Sequence, residues 1–272
     1  MYDNLTIVQY DRGNMGEFMC LLLHKKIFGE AKYDEKRPNN LGWYFMNVDG
    51  TIDCMLYDYQ RMNIESVVMQ RAVFGTCVYE ELLAGNFEDA RLITHAMINY
   101  RKQYPNGSPE NIQIVDLPNP DYSYDPSHKV LTRIHAYDNL DLTKAYPNAK
   151  IYNLYSPPEK RWIFKFLYLY KKHRDSVENT LQRLSCGLDE FINFNWVRNL
   201  EPKEGLININ CYDIFLGKTN DIITSDYKEI LIENFETNKS MLDRFGLDYK
   251  RNDVSKEELL PILAQIYSSY SA

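Results

Sequence analysis

The chain has 272 residues, of which 44% are hydrophobic and 25% are charged, so disordered and fibrous classes are excluded. Its 31 basic and 38 acidic residues give a net charge of −7 without a long basic run. This balance argues against a protein that holds nucleic acid by neutralising many phosphates.

The first part of the chain alternates strand-like and helical patterns. Residues 5–10, LTIVQY, predict a buried strand, and residues 15–24 then place apolar side chains at helical spacing. Residues 42–59 carry aromatic and β-branched residues around an Asp-Gly turn, which favours a hairpin or excursion. Residues 60–104 predict two helices, the first of which ends at Gly85.

The second part continues this alternation after a proline-rich loop at residues 118–127. Four stretches have β-like composition, at residues 111–118, 128–136, 149–155 and 206–215. Helical patterns cover residues 139–148 as a short helix or turn, and residues 156–184, 226–246 and 255–270 as longer helices.

Strands separated by long helical connections favour parallel pairing with right-handed crossovers. We therefore predict an α/β fold with an open, mostly parallel sheet flanked by helices. Residues 1–272 are predicted to form a single domain, with loop or hairpin insertions at 30–60 and 105–127. Ligands of such sheets sit beyond the carboxyl ends of the strands, which directs attention to the loop after the first strand.

The five cysteines are widely spaced and form no CxxC pair. They predict small buried residues in a reducing compartment rather than a zinc site or disulfides. The sequence contains neither a signal-peptide pattern nor an apolar run long enough to cross a membrane. We expect a cytoplasmic protein with no membrane partner.

The stretch DRGNMGE, residues 11–17, links the first predicted strand to the first helix. Free backbone N–H groups and the positive end of the helix dipole would face an anion in this loop. Gly13 and Gly16 would let the backbone approach the anion closely, and Arg12 would supply a forked cation. The pattern lacks the lysine of a Walker A loop, which argues against a nucleoside kinase. It also lacks the first glycine of GxGxxG, which argues against a Rossmann dinucleotide site. A plain connection that binds nothing remains the alternative.

A family resemblance adds to this interpretation. Residues 128–172 contain TRIH and then YPNAKIYNLYSPP, followed by a helical stretch. Together with residues 5–23, this arrangement resembles the sulfotransferases, and residues 226–247 resemble a late segment of that family more weakly. The resemblance implies a P-loop-like three-layer sandwich and transfer of a sulfuryl group to a hydroxyl or amine. It also implies 3′-phosphoadenosine 5′-phosphosulfate as nucleotide donor, an unknown acceptor as partner, and a phage or viral origin.

The resemblance also assigns roles to individual residues. Arg133 takes the place of a family lysine, His135 that of the histidine base, and Glu17 is a second candidate base. The 5′-phosphosulfate is assigned to the loop residues Arg12, Gly13, Asn14, Met15 and Gly16. Arg12 would also stabilise charge on the transferring group.

Two positions depart from the family pattern. Ser156 stands where the family has the arginine that binds the 3′-phosphate, and Phe164 stands where it has a serine. Lys160, Arg161 or Lys165 could supply the missing charge from the next helical turn. A catalytically inactive relative that serves as a binding or structural protein is therefore the alternative function.

The aromatic residues of the same helix invite a ligand-stacking interpretation. Packing of an aromatic helix face against a sheet is the commoner use of such residues, so the sequence favours a core role. They are Trp162, Phe164, Phe166, Tyr168 and Tyr170.

Overall fold

The computed structural model describes residues 2–10, 14–28, 51–57, 67–103, 120–124, 126, 129–135, 140–173 and 200–268. The chain divides into two compact units. The first unit comprises Met1–Tyr10, Gly16–Leu154 and Pro202–Ile209, and the second comprises Asp11–Met15, Tyr155–Glu201 and Asn210–Ala272. The single-domain organisation stays a prediction.

A five-stranded sheet in the order β2-β3-β1-β4-β5 organises the fold. The strands are β1 (Leu5–Tyr10), β2 (Thr51–Tyr57), β3 (Lys129–His135), β4 (Lys150–Tyr155) and β5 (Ile207–Asn210). β1 pairs in parallel with both β3 and β4, and β2 pairs in parallel with β3. The predicted α/β open sheet is confirmed, because helical connections carry the chain back between parallel strands.

The hairpin or excursion predicted at residues 42–59 lies partly outside the described residues and stays a prediction. Residues 51–57 form β2, which pairs in parallel with β3 at the end of the sheet.

The helices of the first unit occupy the predicted helical stretches, but the first of the two helices predicted within residues 60–104 is interrupted at residues 75–77 and forms two helices. The helices of this unit are α1 (Gly16–Phe28), α2 (Val67–Phe74), α3 (Val78–Ala84), α4 (Phe87–Gln103) and α5 (Leu142–Ala145). Gly85 ends α3 in the left-handed conformation, with φ 79°, as its position in the sequence predicts. The Asp141 carboxylate caps α5 by accepting a hydrogen bond from the Lys144 backbone N–H at 3.2 Å.

One apolar core cluster of the first unit lies on one face of the sheet. Alternate residues of β1, Leu5 and Ile7, pack with Ile93 and Met97 of α4, and all four are nearly inaccessible to solvent. The next residues along β1, Val8 and Tyr10, point to the opposite face because side chains alternate along a strand. α1 contacts β1 and β3.

The second unit contains the remaining helices that the structure describes. A 3₁₀ turn at Pro158–Lys160 leads into α6 (Arg161–His173), followed by α7 (Cys211–Phe215), α8 (Lys228–Asp243) and α9 (Lys256–Ser268). Pro261 lies inside α9, as expected from the sequence. The predicted core role of the aromatic residues on α6 is confirmed for Trp162, Phe164, Phe166 and Tyr170, which are buried.

The β-like prediction at residues 206–215 is wrong for its second half. Only residues 207–210 form a strand, and helix α7 begins at Cys211. Asn210 ends the strand because its side-chain oxygen accepts a hydrogen bond from the Tyr212 backbone N–H at 2.9 Å. This is the geometry of an asparagine N-cap, which starts a helix.

Three predicted features lie outside the described residues: the strand at 111–118, the insertion at 30–50 and the end of the long helix beyond residue 173. Cys20, Cys77 and Cys211 are buried free thiols, as predicted. Among the helices that the structure describes, none is long and apolar enough to span a membrane.

Candidate functional site

Strands β1 and β3 end side by side in the first unit. Tyr10, the last residue of β1, is the register partner of His135, the last residue of β3. Arg133 lies two residues earlier on β3, opposite Val8, and is half-buried. The sheet thus places Arg133 and His135, both of which received roles from the resemblance, near its carboxyl edge. Ligands of open α/β sheets bind at this edge. The side chain of His135 lies outside the described part.

The sheet order also fixes where the direction of chain connection changes. β2 and β3 lie on one side of β1, whereas β4 and β5 lie on the other. The crevice beyond the carboxyl ends of two such neighbouring strands is the usual ligand site of an open α/β sheet. The carboxyl ends of β1 and β4 are therefore the expected ligand-binding edge of this sheet.

The segment that follows β1 contains an unusual backbone conformation. Met15 has φ 54°, in the left-handed region, immediately before the first residue of α1. This conformation costs a residue with a side chain about 1–2 kcal/mol, and its place before a helix is typical of anion-binding backbone nests. Arg12 and Gly13, the other parts of the predicted cradle, lie outside the described residues.

Asn14, in the same segment, is held by two hydrogen bonds. Its side-chain oxygen accepts a hydrogen bond from the Ser156 hydroxyl at 3.2 Å, and its backbone carbonyl accepts one from the Cys211 thiol at 3.1 Å. Asn14 is only 3% exposed, yet its amide nitrogen has no hydrogen-bond partner among the described residues. Exchanging the amide oxygen and nitrogen would leave the oxygen without a partner instead. A ligand group would satisfy this buried amide.

Gly16 serves close packing in the first unit. A Cβ added at this position would overlap the ring of Tyr10. The absence of a side chain thus allows the helix to start directly against the end of β1. Glu17, the second residue of α1, has a side chain outside the described part.

Ser156 and Phe164, the two departures from the family pattern, are both buried. Ser156 is inaccessible to solvent, and its hydroxyl donates a hydrogen bond to the side-chain oxygen of Asn14. Phe164 packs edge-on against Phe215, with ring centroids 6.4 Å apart. Ser156 therefore positions the loop side chain, and Phe164 belongs to the core.

Lys160 is engaged elsewhere in the second unit. Its ammonium donates hydrogen bonds to the carbonyls of Tyr249, Lys250 and Arg251, at 3.3, 2.8 and 2.8 Å. It also lies 4.9 Å from the ring centre of Tyr212. Burial lowers the pKa of the Lys160 ammonium, against the opposing effect of nearby carboxylates. This cation stabilises the loop at residues 249–251.

Arg161 remains beside the loop-positioning serine. Its Nε donates to the Ser156 carbonyl at 3.3 Å, and its guanidinium forms an ion pair with Glu201. The arginine side chain is 20% exposed and the glutamate side chain 58% exposed. A ligand anion could compete with such a half-exposed carboxylate for the guanidinium.

The thiol of Cys211 completes the contacts of Asn14. Complete burial raises the pKa of this thiol, so the neutral form is favoured. It therefore acts as a weak hydrogen-bond donor to the Asn14 carbonyl. The sequence predicted Cys211 only as a small buried residue. Its contact with Asn14 joins residues that are 197 positions apart, so no local pattern indicates it.

Two further findings bear on the class of protein. Within the described ranges, no group of three or more His, Cys, Asp and Glu side chains could hold a metal ion. The chain therefore belongs to the class of open, parallel α/β proteins, and its first strand, β1, is followed by a loop and helix α1. No family model matches the sequence, and comparisons with curated proteins and with solved structures find no match.

Proposed function

We propose that the protein transfers a sulfuryl group from 3′-phosphoadenosine 5′-phosphosulfate to a hydroxyl or amine acceptor. The observation that carries the proposal is the segment after β1, with left-handed Met15 and the buried amide of Asn14 directly before helix α1. Backbone N–H groups at a helix start, together with a free amide donor, are suited to an oxyanion such as a phosphosulfate.

The residue roles in this proposal come from the sequence resemblance. The segment 12–16 holds the phosphosulfate, and Arg161 supplies a cation near Ser156. His135 accepts the proton of the acceptor as the new bond between sulfur and the acceptor atom forms. The bond between sulfur and the bridging oxygen of the donor breaks in the same step, and the nucleotide bisphosphate leaves. The same proposal includes a cytoplasmic location, in the host cell if the chain is viral.

A second function is favoured by a specific observation. Ser156 replaces the arginine of the family pattern and is wholly buried, and Lys160 is held by three backbone carbonyls. Neither residue reproduces the forked cation that a 3′-phosphate would need. The alternative is therefore a non-catalytic binding or structural protein with the same fold.

Calorimetric titration with 3′-phosphoadenosine 5′-phosphate separates these functions. The first predicts saturable binding, which should weaken at least about ten-fold in Asn14→Asp, because a carboxylate would repel the bound anion. Asn148→Asp is the control, since it makes the same substitution at an exposed asparagine. Absence of both binding heat and thermal stabilisation would refute the first function and favour the second.

Transfer of the sulfuryl group is measured separately from nucleotide binding. A radiolabelled phosphosulfate donor incubated with a panel of alcohols and amines should yield labelled acceptor with the wild-type protein. His135→Ala should abolish transfer while nucleotide binding persists, because the proposed role of His135 is proton removal. Undiminished transfer by this variant would remove His135 from the mechanism.

A further inference from the structure

Gln9 is a buried amide near the carboxyl end of β1. The residue is 0% exposed, and neither its side-chain nitrogen nor its side-chain oxygen has a hydrogen-bond partner among the described residues. Buried amides in proteins are normally bonded, and each atom left without a partner lowers stability. A partner from outside the chain would explain both atoms at once.

Gln9 lies near the carboxyl end of β1, where residues of open α/β sheets commonly contact a ligand. Its register partners are Ile134 of β3 and Asn153 of β4. Along the same face of β1, Leu5 and Ile7 belong to the apolar core. The core thus gives way to side-chain amides near the carboxyl ends of β1 and β4, the two neighbouring strands between which the connection direction changes.

The neighbouring amide is held in one orientation by β5. Asn153 donates from its side-chain nitrogen to the side-chain oxygen of Asn208 at 2.9 Å. Asn208 is itself fixed, because it accepts from the Lys203 backbone N–H and donates to the Lys203 carbonyl, at 2.9 and 2.8 Å. Gln9 therefore lies next to an ordered polar group, and all of these residues belong to the first unit.

A water-sized cavity elsewhere in the first unit does not account for Gln9. A cavity with room for about one water molecule lies at the opposite end of β1. Its lining includes Tyr2, Leu5 and His95 but not Gln9. The unsatisfied amide thus lies apart from that cavity.

The chemistry of an amide restricts the ligand. An anion would satisfy the nitrogen of Gln9 but repel its oxygen, and a cation would do the reverse. A planar, neutral edge with a donor beside an acceptor satisfies both atoms, as in the bidentate pairing of glutamine with adenine. We infer that Gln9, beside Asn153, binds such an edge, which a carboxamide or a nucleobase presents. The inference is independent of the anion-binding loop, since Gln9 and Tyr10 point to opposite faces of the sheet.

Ligand-observed NMR with two matched pairs of probes tests the inference. Benzamide is compared with benzoate, and adenine with purine, because the second member of each pair lacks the donor. With the wild-type protein we expect benzamide or adenine to bind at least about ten-fold more tightly than its paired probe. The pair that shows the difference tells a carboxamide site from a nucleobase site.

Variants then assign the preference to Gln9. Gln9→Leu should bind both members of each probe pair equally. It should also melt at or above the wild-type temperature, which shows that unfolding does not cause the loss. Gln9→Met replaces Gln9→Leu if the latter does not fold. Gln70→Leu should retain the preference, because Gln70 is an equally buried glutamine whose oxygen already accepts from the Val78 N–H. Equal binding of both members of each pair, or a preference that survives in Gln9→Leu, would overturn the inference.

Discussion

The Ser156 hydroxyl donates a hydrogen bond to the side-chain oxygen of Asn14 at 3.2 Å, and both residues are buried. Asn14 follows β1, and Ser156 follows β4, the neighbouring parallel strand. One hydrogen bond therefore joins two segments that are far apart in the sequence, and fixes the side chain nearest to left-handed Met15.

Ser156→Ala should destabilise the protein by about 1–2 kcal/mol, because it removes this bond and leaves the Asn14 oxygen unsatisfied. Urea unfolding gives the free energy of unfolding directly. Ser123→Ala provides the control: Ser123 is exposed, and its substitution should change stability by less than about 0.5 kcal/mol. Equal effects of the two substitutions would show that the bond with Asn14 contributes nothing.

Gln9→Leu and Gln70→Leu should change stability in opposite directions. Removing the unsatisfied amide of Gln9 should raise the free energy of unfolding by about 1–2 kcal/mol. Removing Gln70 should lower it by about 1–3 kcal/mol, since the Val78 N–H would lose its partner. Chemical denaturation of the two variants in parallel checks the sign. Destabilisation by Gln9→Leu would mean that this amide has a partner in solution.

Gly16→Ala should destabilise the protein by about 1–3 kcal/mol, because the new methyl group would overlap the Tyr10 ring. The same substitution should cost less in a Tyr10→Leu background, where the ring is gone. A double-mutant cycle measured by thermal and urea unfolding gives the coupling energy. Additive effects would show that Tyr10 is not what requires glycine here.

Lys160→Met should cost about 2 kcal/mol or more, because three partly buried hydrogen bonds from the ammonium to backbone carbonyls are lost. Lys218→Met is the control, since Lys218 forms an ion pair with Asp213 and its side chain is 58% exposed. Such exposed pairs contribute little to stability. Comparable losses in the two variants would contradict the structural role of Lys160.

His95 should make stability depend on pH. Burial is the largest influence that lowers the pKa of its imidazole below the ordinary 6.5, and Arg91 adds to this, although the bond to the Tyr122 carbonyl opposes it. The unfolded chain therefore takes up the proton first as the pH falls, and stability falls with it. The stabilisation is fully present above pH 6.5 and is lost as the pH decreases toward the folded-state pKa.

His95→Gln is the variant that isolates this effect. The difference in unfolding free energy between wild type and His95→Gln should shrink between about pH 7 and pH 5. Subtracting the variant removes the contribution of groups that both proteins share. A difference that is constant with pH would show that His95 titrates alike in the folded and unfolded states.

The alternation of strand and helix was readable from the sequence because it is a local signal. The apolar run of residues 5–10 and the helical spacing after Met15 predicted β1 and α1 directly. The glycine-containing turn between them identified the segment on which the proposed function depends. Arg133 and His135 were placed correctly on one strand, since β3 covers Lys129–His135.

Features that depend on contacts across the chain were decided only by the tertiary structure. The β-like pattern after Asn210 gave way to α7, because the asparagine side chain caps a helix there. Lys160 was a candidate ligand cation until the loop at residues 249–251 supplied its carbonyls.

Gln9 stood in the sequence as one polar residue in a buried apolar strand. Local periodicity reports which face of an element is apolar, and so it determined the alternating strands and helices of this protein. Which buried polar atoms find partners depends on strand register and distant loops. Only the folded chain therefore showed that Asn14 is bonded to Ser156 while both amide atoms of Gln9 lack a partner among the described residues.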